Sequence, residues 1–175
     1  MQQLTKILTL ALLVFFTACK KDDDTASGGG DDLVRTWKVV EVSCTDGKTT
    51  TTDGTDVISA TYTFTGKNIT STVVFKDDKT FSSTGSYTQV LKTTVQGQTF
   101  TSEITLNDFA STGTWSKQGN TLTLKNNANE TQNGEIVELS SSKLRLKYLL
   151  NSTETDGAGT IVTQKATINY VLEPK

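Results

Sequence analysis

From Leu33 onward, apolar and polar residues alternate along the chain with a period of two. Successive side chains of a strand point to opposite faces of its sheet, so this pattern predicts strands with one buried face. The in-phase apolar positions are Tyr62 and Phe64, Val73 and Phe75, Phe81 and Tyr87, Phe100 with Ile104 and Leu106, Leu122 and Leu124, Leu144 with Leu146, Tyr148 and Leu150, and Ile168 with Tyr170 and Leu172. We expect no helix in this region beyond one turn near residues 31–35.

Short segments rich in Gly, Asp and Asn separate these runs and predict tight turns. The segments are Asp46-Gly47, Asp53-Gly54, Gly66-Lys67-Asn68, Asp77-Asp78-Lys79, Gly97, Gly119-Asn120, Asn133-Gly134 and Asp156-Gly157. Such short connections favour antiparallel neighbours, as in an up-and-down meander. An open sheet would leave unpaired edges, so we predict an all-β meander closed into a barrel of about 8–10 strands. A two-sheet sandwich is the alternative.

Composition supports strands and excludes several functions. Threonine makes up about a fifth of the chain, and β-branched side chains suit a pleated surface. The net charge of −2 offers no basic field for nucleic acid. Histidine is absent, which rules out a Ser-His-Asp triad and a histidine metal site. The carboxylates are scattered, and we predict no catalytic residue, no metal, no cofactor and no enzyme activity.

The first 18 residues have the layout of a secretory signal peptide. Ile7 to Phe16 is almost wholly apolar but too short to span a bilayer, and the small residues Thr17 and Ala18 precede Cys19. This segment resembles the lipobox of bacterial lipoproteins. The resemblance implies that Cys19 carries acyl chains that anchor the protein in a membrane. An ordinary signal peptide with an incidental cysteine is the alternative.

A charged segment follows the cysteine and consists of Lys20, Lys21, Asp22, Asp23 and Asp24. It resembles the export signal that sends lipoproteins of Bacteroidetes-type bacteria to the outer face of the outer membrane. Asp24-Thr25-Ala26 resembles the O-glycosylation sequon of the same bacteria, with Thr25 as the acceptor. The alternative is that this charged segment is only a solvated linker. Residues 19–32 cannot bury apolar area and are predicted to form a flexible tether on either interpretation.

Cys44 is the second of two cysteines. If Cys19 is lipidated, no partner remains for an intramolecular disulfide. Cys44 ends a strand-like run in phase with Val40 and Val42, so we predict that it is buried in the core.

Several motifs of residues 33–175 resemble those of lipocalin-like lipoprotein domains. They are Leu33 to Lys38 for the family's L-x-G-x-W-K opening, Phe75 to Phe81 for its F-x-x-D-G-x-F hairpin, Gly113-Thr114-Trp115 with Gly119 to Leu124 for its G-T-W strand and hairpin, and Ile136 to Leu139 with Leu144 to Leu146 for its last third. In lipocalins proper, the first-strand tryptophan closes the barrel base beneath an arginine near the C-terminal end. Here Arg145 would stack on Trp37 or, alternatively, point to water.

The resemblance implies a small-molecule binding module. Inward aromatic residues either line a cavity or fill the core. The candidate lining residues are Trp37, Tyr62, Phe64, Phe81, Phe100, Trp115, Tyr148 and Tyr170. We predict a monomeric, lipid-anchored, surface-exposed outer-membrane protein that binds a small apolar or amphipathic ligand. The alternative is an interaction module whose filled barrel contacts a protein or glycan.

Overall fold

The computed structural model describes residues 32–107 and 112–175, and these two ranges form strands and turns without a helix. Cys19, the charged segment from Lys20 to Asp24, and Thr25 lie outside the described residues. The strands are β1 (Thr36–Asp53), β2 (Asp56–Lys67), β3 (Thr72–Phe75), β4 (Thr80–Thr84), β5 (Ser86–Val95), β6 (Gln98–Asn107), β7 (Thr112–Gln118), β8 (Thr121–Asn126), β9 (Thr131–Leu139), β10 (Leu144–Thr155) and β11 (Ile161–Pro174).

All of these strands belong to one antiparallel sheet, and eight of them close into a barrel. Around this closed barrel the order is β1, β3, β4, β7, β8, β9, β10 and β11, and β11 pairs back with β1. The closing register places Trp37 opposite Pro174 and Val39 opposite Leu172. The predicted all-β antiparallel barrel is therefore confirmed.

The sheet continues beyond the closed barrel as a second section, which we call the upper sheet. It comprises β2, β5 and β6 with the distal halves of β1, β10 and β11, in the order β10, β11, β1, β2, β5, β6. The chain therefore departs from a simple meander: β1 pairs with β3 near its start and with β2 along its second half. The opposite end of the closed barrel, where β1 begins and β11 ends, is its base.

Two β-bulges let β1 pass from one section to the other. Register shifts occur against β11 between Val39 and Glu41 and again between Cys44 and Lys48. Each bulge adds one outward-facing residue, so the inward positions shift by one along the sequence, from Val39 to Val42 and from Cys44 to Gly47. Cys44 is buried as predicted, but Val40 is 37% exposed because the first bulge turns it outward. The expected turn at Asp46-Gly47 is wrong, since β1 continues through it to Asp53.

The expected turn at Asn133-Gly134 is also wrong, because both residues lie inside β9. Gly134 pairs with Tyr148 of β10, and Gly47 pairs with Tyr62 of β2. In both pairs the tyrosine ring lies over the glycine, and an added Cβ would come within 2.6 Å of Tyr148 or 2.3 Å of Tyr62. These glycines therefore leave room for a ring rather than reverse the chain.

Candidate functional site

Trp37 and Arg35 seal the base of the closed barrel. The Trp37 ring is fully buried, and its Nε1 donates a hydrogen bond of 2.9 Å to the carbonyl oxygen of Leu33. The Arg35 guanidinium lies 5.2 Å from the ring centroid and donates to the carbonyl oxygen of Ser141 in the β9–β10 turn. Arg145, by contrast, is exposed on the outer face of β10. The arginine that stacks on Trp37 is therefore Arg35, its near neighbour in sequence.

Trp115 closes the adjoining part of the base. It is 3% exposed, meets Phe75 edge to face at 5.7 Å, and donates from Nε1 to the carbonyl oxygen of Lys76. The Lys79 ammonium lies 4.2 Å from the ring centroid, a cation–π contact. Lys79 has a left-handed φ of 62°, which explains why the family motif has glycine at this turn position.

Above these tryptophans, the closed barrel is filled by its own side chains. One cavity lined by described residues has a volume of about 20 Å³, which is about the room of one or two water molecules and far below the roughly 300 Å³ of a small-ligand pocket. Its lining residues are Val73, Phe75, Phe81, Leu124, Gln132, Leu146, Tyr148, Tyr170 and Leu172. This cavity is too small for an organic ligand.

Buried tyrosines pack the top of the closed barrel. Tyr148 and Tyr170 meet edge to face at 5.6 Å, and Tyr170 shares a side-chain hydrogen bond with Tyr87. Burial raises the pKa of Tyr87 to about 12 and raises the pKa values of Tyr148 and Tyr170 as well. These phenols therefore stay neutral at physiological pH and act as packing groups with a polar end.

The second β1 bulge marks the junction with the upper sheet. The Asp46 carboxylate accepts hydrogen bonds from the backbone N–H and the hydroxyl of Thr167, at 2.7 and 2.6 Å. Those bonds lower the pKa of Asp46. The neighbouring Cys44 thiol is buried, and this burial raises its pKa, so the thiol is protonated and unreactive. The hydrogen bonds between Asp46 and Thr167 thus connect β1 and β11 on the outside of the junction, and the Cys44 thiol packs on the inside.

Beyond this junction the inward face changes character. Thr49 and Gln164 are register partners on β1 and β11, and Thr93 projects from β5 opposite Tyr62. These threonines are each 8% exposed and Gln164 is 6% exposed, although all three side chains are polar. Sequence reasoning missed them because it followed aromatic residues. The sequence signal that could have found them is that these Thr and Gln residues occupy the same alternate positions of their strands as the buried apolar residues.

The predicted lining residues divide between the two sections of the sheet. Phe81, Tyr148 and Tyr170 line the small cavity, whereas Trp37 and Trp115 belong to the base. Tyr62 and Phe64 lie in the upper sheet, together with Phe100, which is 38% exposed on the edge strand β6. The structure therefore does not gather the eight side chains around one pocket.

No group of three or more His, Cys, Asp or Glu residues in 32–107 and 112–175 is arranged to hold a metal ion. In the same ranges, no helix has the length and apolar character needed to cross a membrane.

Comparison with known proteins agrees with the fold. The model of the lipocalin-like domain family matches residues 33–146, from the base tryptophan segment to the first part of β10. No curated protein and no solved structure matches the chain. Lipocalin folds typically bind small molecules rather than catalyse reactions. The family match covers more than half of the chain, and the chain belongs to the lipocalin-like domain family.

Proposed function

We propose that this protein is a lipid-anchored protein of the outer membrane, exposed at the cell surface, whose lipocalin-like barrel binds a small amphipathic molecule. The observation that supports binding is the contrast between a closed barrel filled by its own side chains and an upper sheet with buried polar groups on its inward face. A filled base gives a rigid platform, and the ligand is taken up above it.

The anchor rests on the order of features at the N-terminus. An apolar run of signal-peptide length ends in small residues and then Cys19, and a charged and glycine-rich segment separates that cysteine from β1. Two or more acyl chains give stable anchoring, because each buried methylene contributes about 0.8 kcal/mol. The charged residues from Lys20 to Asp24 direct the protein outward, and the segment up to residue 32 holds the barrel away from the bilayer.

Replacement of the two cysteines tests the anchor. Cys19→Ser should abolish labelling by a fatty-acid analogue and release the protein from the membrane fraction. Cys44→Ser is the matched control. Because Cys44 is buried, its replacement should change neither the labelling nor the membrane fractionation. A Cys19→Ser variant that still fractionates with outer membranes would disprove lipid anchoring through this residue.

Neutral replacements from Lys20 to Asp24 test the outward location. The variant should remain lipidated but become protected from protease added to intact cells, whereas the unaltered chain should be digested. Equal digestion of both forms would show that the charged segment is a linker only.

The small cavity also favours a second candidate, an interaction module whose filled barrel contacts a protein or glycan. Native mass spectrometry of the full chain from its own host separates the two. A co-purifying small molecule of constant mass supports ligand binding. If the chain carries no such molecule but retains a bound protein or glycan, the alternative is supported.

A further inference from the structure

We propose that the ligand site lies on the inward face of the upper sheet, around Thr49, Thr93 and Gln164, and that its ligand is an uncharged amphiphile whose hydroxyl or amide groups bind these side chains. This inference rests on the proposed small-molecule binding. It goes further by locating the site outside the closed barrel and by specifying the charge of the ligand.

The three side chains lie on neighbouring strands of one continuous surface. Thr49 is opposite Gln164 on one side and opposite Ala60 on the other. Ala60 is two residues from Tyr62, whose partner across β2 and β5 is Thr93. The surface therefore runs from β11 through β1 and β2 to β5, and its hydroxyl and amide groups are separated by small or aromatic side chains.

None of the three side chains has a hydrogen-bond partner among the described residues. In that part of the chain, Ser71 Oγ is the one side-chain polar atom that is both sealed from solvent and unpartnered. The polar atoms of Thr49, Thr93 and Gln164 therefore remain within reach of solvent, although each residue is more than nine-tenths buried. Buried polar groups are normally hydrogen-bonded. These groups are thus available to water or to a ligand that replaces it.

The charges around this surface identify the class of ligand. The lysines of the central strands, Lys48, Lys92 and Lys165, occupy outward positions of the alternation and are exposed. In the described strands of the upper sheet, the charged residues in the inward phase are Asp53, Asp56 and Glu154, all acidic, exposed and near the distal end. An anionic head group would find no cation there and would be repelled, whereas neutral hydroxyls or amides match threonine and glutamine.

Apolar positions on the same face accommodate the other part of an amphiphile. Ala60, Leu91 and Val162 are buried beside the polar positions, and Tyr62 and Leu150 are half-buried. A short acyl chain attached to a glycerol or similar neutral polyol combines both kinds of group. Decanoylglycerol is therefore a suitable probe, and decanoate is its anionic counterpart with the same chain.

Calorimetric titration tests the site on the full chain carrying Cys19→Ser, which removes the competing acyl chains. Both probes are used below the concentrations at which they form micelles. We expect decanoylglycerol to bind at least about tenfold more tightly than decanoate. Gln164→Leu and Thr49→Val should each weaken binding of the neutral probe by about tenfold, since each removes hydrogen-bonding groups without removing bulk.

Two kinds of control keep the result interpretable. Thr50→Val and Thr163→Val alter outward neighbours on the same strands and should leave binding unchanged. Gln132→Leu alters the glutamine that lines the small cavity of the closed barrel and should also have no effect. Thermal unfolding of each variant checks folding, and the inward apolar variants should be at least as stable as the parent.

The outcomes separate this inference from the proposed function. Probe binding that is lost in Gln132→Leu but kept in Gln164→Leu would overturn the site while leaving small-molecule binding intact. Equal affinity for decanoate would overturn the assignment of an uncharged ligand. Absence of decanoylglycerol binding would overturn the inference as a whole, and the proposed function would then depend on whether a small molecule co-purifies from the native host.

Discussion

The two halves of β1 lie in different environments, the first in the closed barrel and the second in the upper sheet. In the closed barrel its inward residues include Trp37, Val39 and Val42, which are at most 2% exposed. Past the second bulge its inward residues include Thr49 and Thr51. The strand geometry is the same in both halves, but only the first half is covered by the full circle of eight strands.

β11 shows the same division in reverse order. Leu172 and Tyr170 pack in the closed barrel, while Gln164 and Val162 face inward in the upper sheet. Dense apolar packing and unpartnered polar groups therefore lie on different lengths of the same strands. The closed section provides stability through dense packing, and the upper section keeps polar groups that its own packing does not satisfy.

The largest expected difference is between aromatic residues of the two sections. Trp37→Ala and Trp115→Ala should each cost about 3–5 kcal/mol, because each removes a buried ring and its hydrogen bond. Phe100→Ala should cost about 1 kcal/mol or less, since Phe100 is 38% exposed on an edge strand. Chemical denaturation of the three variants measures these costs. A mild loss for Trp115→Ala would place that ring on an open cavity wall instead.

The two glycine–tyrosine pairs permit the same substitution in each section. Gly134→Ala should cost about 3 kcal/mol, because the Tyr148 ring above it is buried and cannot move aside. Gly47→Ala should cost about 1 kcal/mol, because the half-buried Tyr62 ring can tilt toward solvent. Equilibrium unfolding compares the pair. Equal costs would show that both rings are held with the same rigidity.

Exchange of a methyl and a hydroxyl group probes the inward face of β1 directly. Val39→Thr should destabilise the protein by about 2 kcal/mol, because it buries a hydroxyl among apolar side chains. Thr49→Val should be neutral or slightly stabilising, because Thr49 has no hydrogen-bond partner among the described residues. Thermal melts of both variants provide the measurement. A clear loss of stability in Thr49→Val would mean that its hydroxyl contributes to folding.

The smallest effect is expected at the junction. The lowered pKa of Asp46 means that its hydrogen bonds to Thr167 stabilise the fold above the unfolded pKa of about 3.9 and that this contribution is lost as pH falls through the folded pKa. Because Asp46 is exposed, Asp46→Asn should cost about 1 kcal/mol at neutral pH. The difference from the unaltered chain should shrink near pH 3. Asp53→Asn is the control. If the stability difference between Asp46→Asn and the unaltered chain did not change with pH, the stabilising role of the Asp46–Thr167 hydrogen bonds would be contradicted.

The turns show how far local sequence could be interpreted. Asp53-Gly54, Gly119-Asn120 and Asp156-Gly157 lie where strands end, as predicted. Asp46-Gly47 and Asn133-Gly134 carry the same signal but lie within strands, because a tyrosine of the neighbouring strand occupies the space above each glycine. The sequence of a dipeptide indicates which backbone conformations it can adopt. It does not indicate that an aromatic ring from a distant part of the chain packs over it.

The sequence by itself determined the all-β class, the inward phase of most strands and the closure of the sheet, because period-two patterns and edge costs are local properties. Arg145 could be interpreted either way from sequence, and tertiary structure decided that Arg35 covers Trp37. Tertiary structure also decided that apolar side chains pack the described part of the closed barrel and that Thr49, Thr93 and Gln164 lie on the same face of the upper sheet. These outcomes depend on which strands pair and where β1 bulges, and such long-range register is set by the packing of the whole sheet.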